Sequence, residues 1–349
     1  MSSENRKKAN EKKRRARQRR VRFQIAVLSV LAVVLLALII IGIRRGYGDL
    51  SPRGTGESPK AISTTDGAAD DSTVSSVSRK DNSLTEGLFV KKPKTINLTQ
   101  AMLHSGDLIV VSSSHAYDFD ANADSVDLVN IKANQIYPYP VDKEEFELAR
   151  RALEPLDQMI RACDEALGTQ VTAVSSAYRS EEYQQNVWDE TVETNGEDYA
   201  KQYVAVPGYS EHHTGLAVDL GIIHSDGSYG SFSGSDNAAW IKENCARYGY
   251  VRRYAEDKVS ITGISNEEWH FRYVGLPHAR YMVDHNLCLE EYISYLRDNT
   301  SADAPLTITA DDGRIYTVYF TNESEIEEPA GDYDISGNNI DGWIITQKQ

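Results

Sequence analysis

The chain has 349 residues, room for two average domains, and a formal charge of −15 at pH 7. Met1–Gln24 carries eleven Lys/Arg against two Asp/Glu, a local +9 that leaves −24 for the rest and argues against binding polyanions such as nucleic acid. Three cysteines, Cys163, Cys245 and Cys288, do not make a disulfide framework; none sits in a CxxC pair or near a histidine at zinc-finger spacing, and they are expected as small buried apolar residues.

Taken in chain order, the basic block 1–24 runs into "IAVLSVLAVVLLALIIIGI", Ile25–Ile43, nineteen residues without a charge. As a helix it would measure about 28 Å, the depth of a bilayer's hydrocarbon core. A cleaved signal peptide would have a shorter apolar region ending in small residues, whereas Arg44 and Arg45 follow here. The segment therefore reads as a single-pass anchor. Its heavier cationic flank is N-terminal, which leaves 1–24 in the cytoplasm and everything after Arg45 outside the membrane. Residues 44–95 include "SPRGTGESPKAISTTDGAADDSTVSSVSRKDNS" and are almost free of large apolar side chains. Such a stretch cannot offset its ordering entropy and is expected as a disordered linker, with a reach on the order of 40 Å.

The folded part is expected over 96–299. Asp142 and Glu145 form a D-x-x-E capping pattern, and Phe146, Ala149, Leu153, Leu156, Ile160, Cys163 and Leu167 recur at helical spacing. This predicts a helix over 143–167, kinked at Pro155 and ended by Gly168. A short β-branched run, "VTAVSSAYRS", precedes a helix over 180–193. Ala217–Ile223 alternates as a strand, with Leu216, Val218 and Leu220 on one face and Asp219 on the other. A helix over 236–248, a strand at "EWHFRYVG" and helices at "PHARYMVDHN" and "LEEYISYLRDN" follow. Helices and short strands without a βαβ rhythm point to an α+β fold. Over 300–349, "LTITADDGRIYTVYF" is a hairpin around an Asp-Gly turn, and "YDISGNNIDGWIITQ" offers further strands. This end is expected as a small β appendage without chemistry.

The chemistry gathers around "SEHHTGLAVD", Ser210–Asp219. A catalytic zinc site takes three protein ligands and leaves a fourth position open. A turn followed by a strand would bring His212 and Asp219 to one point, and "EEWHF" offers His270 as the third ligand, with Glu267 three residues before it as a general base. Arg179, in "AYRS" at a strand end, fits the cation needed to polarise a carbonyl or hold a carboxylate. Each residue alone has a plainer reading: loop polarity or a core hydrogen bond for His212 or His213, a capping acid for Asp219, a surface pair on a strand edge for Glu267 and His270, a salt bridge for Arg179. Together the five complete the inventory of a metallohydrolase.

The motifs also carry a family resemblance. "SEHHTGLAVD" fits S-x-H-x-x-G-x-A-x-D and "EEWH" fits E-x-x-H, in the order and separation of the VanY-type D-alanyl-D-alanine carboxypeptidases. "SAYRS", "PGYSEHHTGLAVDL" and "EEWHFRYVG" resemble that family's three signature blocks, and the likeness covers about residues 100–298. It implies a small antiparallel sheet flanked by helices, the zinc D,D-peptidase or hedgehog-like fold, with one Zn²⁺ per chain on His212, Asp219 and His270. It implies Glu267 as catalytic base, Arg179 as the group contacting the substrate carbonyl or carboxylate, Gln184 as a substrate-binding glutamine, and Ser210 in the pocket wall. His213 falls at a variable position and is assigned behind the ligands or at the rim. Many relatives read E-P-W-H where this chain has Glu268, which adds a second carboxylate beside the base.

The resulting expectation is a zinc carboxypeptidase that trims the terminal D-alanine from peptidoglycan stem peptides, outside the cell membrane of a Gram-positive bacterium. No S-x-x-K motif is present for the serine-type route. Two alternatives stand beside this one: an L,D-carboxypeptidase or endopeptidase on the same peptides, and a metal-free wall-binding module.

Overall fold

The computed structural model describes residues 94–123 and 125–349. The span expected at 25–43, the basic tail and nearly all of the linker lie outside the described residues. Among the described residues no helix is long and apolar enough to cross a membrane.

The first long helix, α1, is Arg150–Leu167, seven residues shorter at its start than the capping pattern predicted. The physical reason is a competing ladder. Glu147–Ala149 is extended and pairs antiparallel with Leu128–Asn130, while the Ala149 N–H donates to the Gly215 carbonyl at 2.8 Å. Those backbone groups are thus committed before a helical turn can use them, and tertiary pairing overrides the local signal. Asp142 does not cap the helix; its N–H donates to the Val174 carbonyl at 2.9 Å. At the other end Gly168 closes α1 in the left-handed conformation, φ 65°, as the sequence predicted, and Pro155 lies inside the helix.

After α1 come β1 (Thr172–Ser176), α2 (Glu181–Asn195), β2 (Ala217–Ile223), α3 (Asp236–Asn244), β3 (Tyr250–Tyr254), β4 (Glu267–Tyr273), α4 (Leu276–Asp284) and α5 (Leu289–Asn299). The helix expected over 236–248 stops at Asn244 and passes into a single 3-10 turn, Cys245–Tyr248, closed by Gly249. The strands form an antiparallel sheet in the order β1-β2-β4-β3, with Tyr229–Gly230 added beside the end of β2. One face packs on α1 and α3 through Leu153, Leu156, Ile160, Val218, Leu220, Ile241 and Phe271, all buried. Each such side chain contributes about 1.5–3 kcal/mol on leaving water. This is the α+β arrangement expected, a small antiparallel sheet covered by helices.

The C-terminal strands β5 (Leu306–Thr309), β6 (Ile315–Thr321), β7 (Tyr333–Gly337) and β8 (Trp343–Lys348) form a second antiparallel sheet, ordered β7-β8-β6-β5. They are more than an appendage. Ile308, Val318 and Ile344 share one core with Val251, Val274, Met282, Leu289 and Leu296 from the domain that precedes them. Glu325–Glu327 pairs with Thr95–Asn97 at the start of the described chain. Asn339, in the β7–β8 loop at φ 62°, donates its side-chain N–H groups to the carbonyls of Val110 (2.8 Å) and Ala116 (2.9 Å). The tail thereby fixes the segment that leads to Tyr117 and Phe119, whose rings pack on His213. All three cysteines are buried, as expected, and all three are free.

Candidate active site

Ser210 begins a 3-10 turn, Glu211–Thr214, by accepting the His212 N–H on its Oγ at 3.3 Å. Gly215 ends the turn at φ 67°, where a Cβ would stand 2.7 Å from Leu128 Cδ2, so the motif glycine satisfies both a left-handed backbone and a close approach. The chain enters β2 two residues later, and Asp219 points away from the Val218 and Leu220 face. On one side Asp219 pairs in register with Ser176 of β1, on the other with His270 of β4.

Both neighbours of β2 are irregular beside Asp219. The β1–β2 register slips between Val174 and Ser176, and the β3–β4 register slips between the Arg252–Phe271 and Tyr254–Glu267 pairs. The second irregularity has a direct effect. In a regular strand residues three apart face opposite ways, yet Glu267 and His270 are both buried on the site side, with Glu267 Oε2 3.9 Å from His270 Nδ1. Glu268 turns away and accepts the Gly234 N–H at 3.0 Å.

His212, Asp219 and His270 converge: each offers one ligand atom, and these lie within 4.8 Å of one another. His212 Nε2 is 3.3 Å from Asp219 Oδ2, and His270 Nδ1 is 2.9 Å from Asp219 Oδ1. The opposite ring nitrogens are engaged elsewhere. His212 Nδ1 donates to the Ala177 carbonyl at 2.6 Å, and His270 Nε2 faces Glu211 Oε2 at 3.4 Å. Two imidazoles backed by acceptors and one carboxylate, all buried, are the donor chemistry of a divalent zinc site, so the residues fit the metal that the motifs imply.

Burial sets the electrostatics. It lowers His212 to about 4, helped by the Arg179 charge, which keeps that imidazole neutral at pH 7. Burial also pulls His270 down, but the hydrogen bonds to Asp219 and Glu211 outweigh it and hold His270 up at about 9. Asp219 is pushed up by burial and down, more strongly, by the two histidines and Arg179; it ends well below the usual carboxylate range. Glu267 goes the other way: burial raises its carboxyl to about 8, against the pull of His270. Four neighbouring groups thus have their protonation set far apart, a pattern found where acid–base chemistry is performed.

The remaining predicted residues are placed as follows. Arg179 donates to Ser176 Oγ (3.0 Å), Gln184 Oε1 (3.2 Å) and Asp219 Oδ2 (2.8 Å). Gln184 is fully buried behind Arg179, its other amide end donating to the Ala205 carbonyl at 2.7 Å. His213 is buried too: Nδ1 donates to the Arg179 carbonyl (2.7 Å) and Nε2 accepts the Gly208 N–H (3.0 Å), which ties the histidine turn to the loop carrying the arginine. The site opens on a cleft of about 550 Å³ lined by Ser176, Arg179, Tyr183, Asp219 and Trp269. A more enclosed hollow of about 190 Å³, lined by Trp188, Val206, Tyr209 and Ile264, meets the site at Tyr254. The Tyr254 ring lies 4.8 Å from that of His270. Tyr254 and Ser176 escaped sequence reasoning. The only signals available were the alternation in "YVRRY" and the position of Ser176 three residues before Arg179.

Comparison with known proteins agrees with this geometry. Residues 145–276 match the model of a family described as "VanY: D-alanyl-D-alanine carboxypeptidase". A D-alanyl-D-alanine carboxypeptidase of Enterococcus faecium is 30% identical over 255 residues, covering 71% of this chain and 77% of the relative. The bifunctional D-Ala-D-Ala dipeptidase and D-Ala-D-Ala carboxypeptidase VanXYC of Enterococcus gallinarum is 37% identical over 173 residues, 48% of this chain and 90% of that one. Among solved structures, the vancomycin resistance D,D-dipeptidase VanXYg in complex with a D-Ala-D-Ala phosphinate analogue superposes with a TM-score of 0.65 at 30% identity, covering 73% of this chain and 99% of the other.

Proposed function

Because this chain belongs to the VanY family of D-alanyl-D-alanine carboxypeptidases, we propose that it is a zinc-dependent D,D-carboxypeptidase, anchored at the outer face of the cell membrane, that removes the terminal D-alanine from peptidoglycan stem peptides. Family membership carries hydrolysis at D-alanyl-D-alanine by a carboxypeptidase or dipeptidase. The zinc rests on the residues, the stem-peptide substrate on the family, and the anchor on the uncharged run at 25–43.

One observation supports the reading above the others: His212, Asp219 and His270 bring their ligand atoms within 4.8 Å of each other beside a buried Glu267. Zinc held by these three would supply Lewis acidity, making water acidic near pH 7 and polarising a carbonyl oxygen. Glu267, buried beside the three ligand residues with Oε2 3.9 Å from His270 Nδ1, takes the proton from the attacking water as a carboxylate and passes it to the leaving amine. The burial that otherwise raises its carboxyl is offset by the positive charge of a bound cation. Arg179 presents a guanidinium at the cleft, fixed by Ser176, Gln184 and Asp219, to orient the peptide's carbonyl or terminal carboxylate. A positive group fixed before substrate arrives need not reorganise during the reaction.

The test is hydrolysis of synthetic stem peptides by the purified full chain, followed by mass spectrometry. Release of D-alanine from a pentapeptide ending in D-Ala-D-Ala, lost with a chelator and regained with Zn²⁺, is the expected result. Preference for a tetrapeptide would reassign the chain as an L,D-carboxypeptidase, and internal cleavage as an endopeptidase. Neither cleavage nor zinc uptake would leave the metal-free wall-binding role. For the anchor, the chain should sediment with membranes and become soluble when residues 1–45 are deleted.

A further inference from the structure

We infer that Glu211, the residue between the serine and histidine of S-x-H, is a positioning residue for the metal site: it holds the His270 imidazole in the tautomer that leaves Nδ1 free for a divalent cation. The inference rests on the zinc reading above and adds a residue to it.

The two candidate histidines are backed differently. The Nδ1–H of His212 meets a backbone carbonyl, which only accepts, so its tautomer is fixed by the main chain. The Nε2 of His270 instead faces a side chain, Glu211 Oε2, at 3.4 Å. A carboxylate only accepts, so Nε2 carries a proton toward Glu211. Nδ1, 2.9 Å from Asp219 Oδ1, is protonated as well without a cation, and it is this Nδ1 proton that a cation held with Asp219 and His212 would displace while the Nε2 proton stays.

Glu211 is itself immobilised. Its side chain is fully buried, and Oε1 accepts from Arg253 Nε at 2.8 Å and from Arg272 Nη1 at 3.0 Å. Arg253 turns its other edge to Glu290, with Nη1 2.9 Å from Oε2. Two acids and two guanidiniums balance in charge behind the site. A buried carboxylate is costly unless paired and hydrogen-bonded, and here one oxygen is taken by the arginines while the other is left for His270.

This arrangement makes substitution by glutamine informative. Two guanidiniums are donors only, so an amide at 211 must turn its oxygen toward them and its NH₂ toward His270. That NH₂ would require Nε2 to accept, moving the ring proton to Nδ1, the ligand atom. Glu290→Gln perturbs the same Arg253 without touching His270.

The experiment is competition for zinc between a chromophoric chelator and the metal-stripped full chain, with thermal melting of each metal-free protein alongside. Glu211→Gln should weaken zinc about 10–100-fold, whereas Glu290→Gln should stay within about twofold of wild type even if its melting temperature drops. Should Glu211→Gln not fold, the charge-balanced pair Glu211→Gln/Arg272→Gln is compared with Arg272→Gln alone, and the double variant should bind zinc more weakly. Wild-type zinc affinity in Glu211→Gln, or equal losses in Glu211→Gln and Glu290→Gln, overturns the positioning role. A wild-type chain that takes up no zinc overturns the metal reading itself, a result distinguishable from either.

Discussion

Asp219 and His270 stand directly opposite each other on neighbouring antiparallel strands, with the carboxyl Oδ1 2.9 Å from the imidazole Nδ1. Backbone pairing rather than loop conformation sets their separation, and a site on paired strands is held more closely than one on loops. Replacing His270 by Ala should therefore reduce zinc content from about one per chain to near none, measured by elemental analysis after dialysis, while the metal-free variant melts near the metal-free wild type. Zinc retained at wild-type level in His270→Ala would remove this residue from the ligand set.

The adjacent acids of β4 separate cleanly. Glu267→Gln should keep its zinc and lose about 10²–10⁴-fold in kcat, the usual weight of a general base. Glu268→Gln should fall within about twofold of wild type, because that side chain accepts the Gly234 N–H rather than joining the ligand cluster. Steady-state kinetics on a D-Ala-D-Ala pentapeptide decide it, and a dead Glu268→Gln would reverse the assignment.

Gln184 was expected to touch substrate, but its buried amide spans Arg179 and the Ala205 carbonyl. Gln184→Leu removes the donor to the buried Ala205 carbonyl and one of the three side-chain acceptors of Arg179, which keeps Ser176 and Asp219, at a cost of about 1–3 kcal/mol in stability. It should lower kcat/KM through a misplaced Arg179, with zinc content unchanged. Chemical denaturation, metal analysis and kinetics on the same preparation give the three readings.

Asp164 on α1 provides a pH test remote from the site. Burial raises its carboxyl to about 6 from an ordinary 3.8, and hydrogen bonds from Tyr137, at 3.2 Å, and Thr172 offset this only in part. The folded chain keeps the proton to a higher pH than the unfolded chain does. The ionised carboxylate therefore destabilises the fold fully above about pH 6 and not at all below about pH 4. Asp164→Asn should stabilise the protein at pH 7 by on the order of 1–3 kcal/mol, and the gain should shrink toward zero at pH 4. Denaturant titrations at the two pH values measure it.

Gly337, at the end of β7, tests how tightly the tail is joined to the domain. A Cβ there would lie 2.0 Å from the Leu103 carbonyl oxygen, a backbone atom that cannot swing aside. Gly337→Ala should cost several kcal/mol, on the order of an overpacked core position or more, seen as a large drop in melting temperature.

Much of this was legible in the sequence. Alternation placed β2 at its observed bounds, and "LEEYISYLRDN", read as a helix, is α5. The motifs named the three residues that converge. What escaped was non-local. The start of α1 was misread because residues 128–130 claim 147–149 as a strand, a pairing no local window contains. The slip in β4 was missed because "EWHFRYVG" reads as an ordinary strand, and the bulge that lets Glu267 and His270 share a side depends on pairing with 252–254. Glu211 went unremarked because its meaning depends on Arg253 and Arg272, which lie 42 and 61 residues further along the chain.

The misregister beside Asp219 also limits how this scaffold can be improved. Straightening β4 to perfect pairing would complete its ladder and make a tidier sheet, yet it would rotate the Glu267 carboxyl into the opposite layer from the His270 ring. An engineer who selected only for thermal robustness could therefore obtain a sturdier protein that no longer cuts peptides.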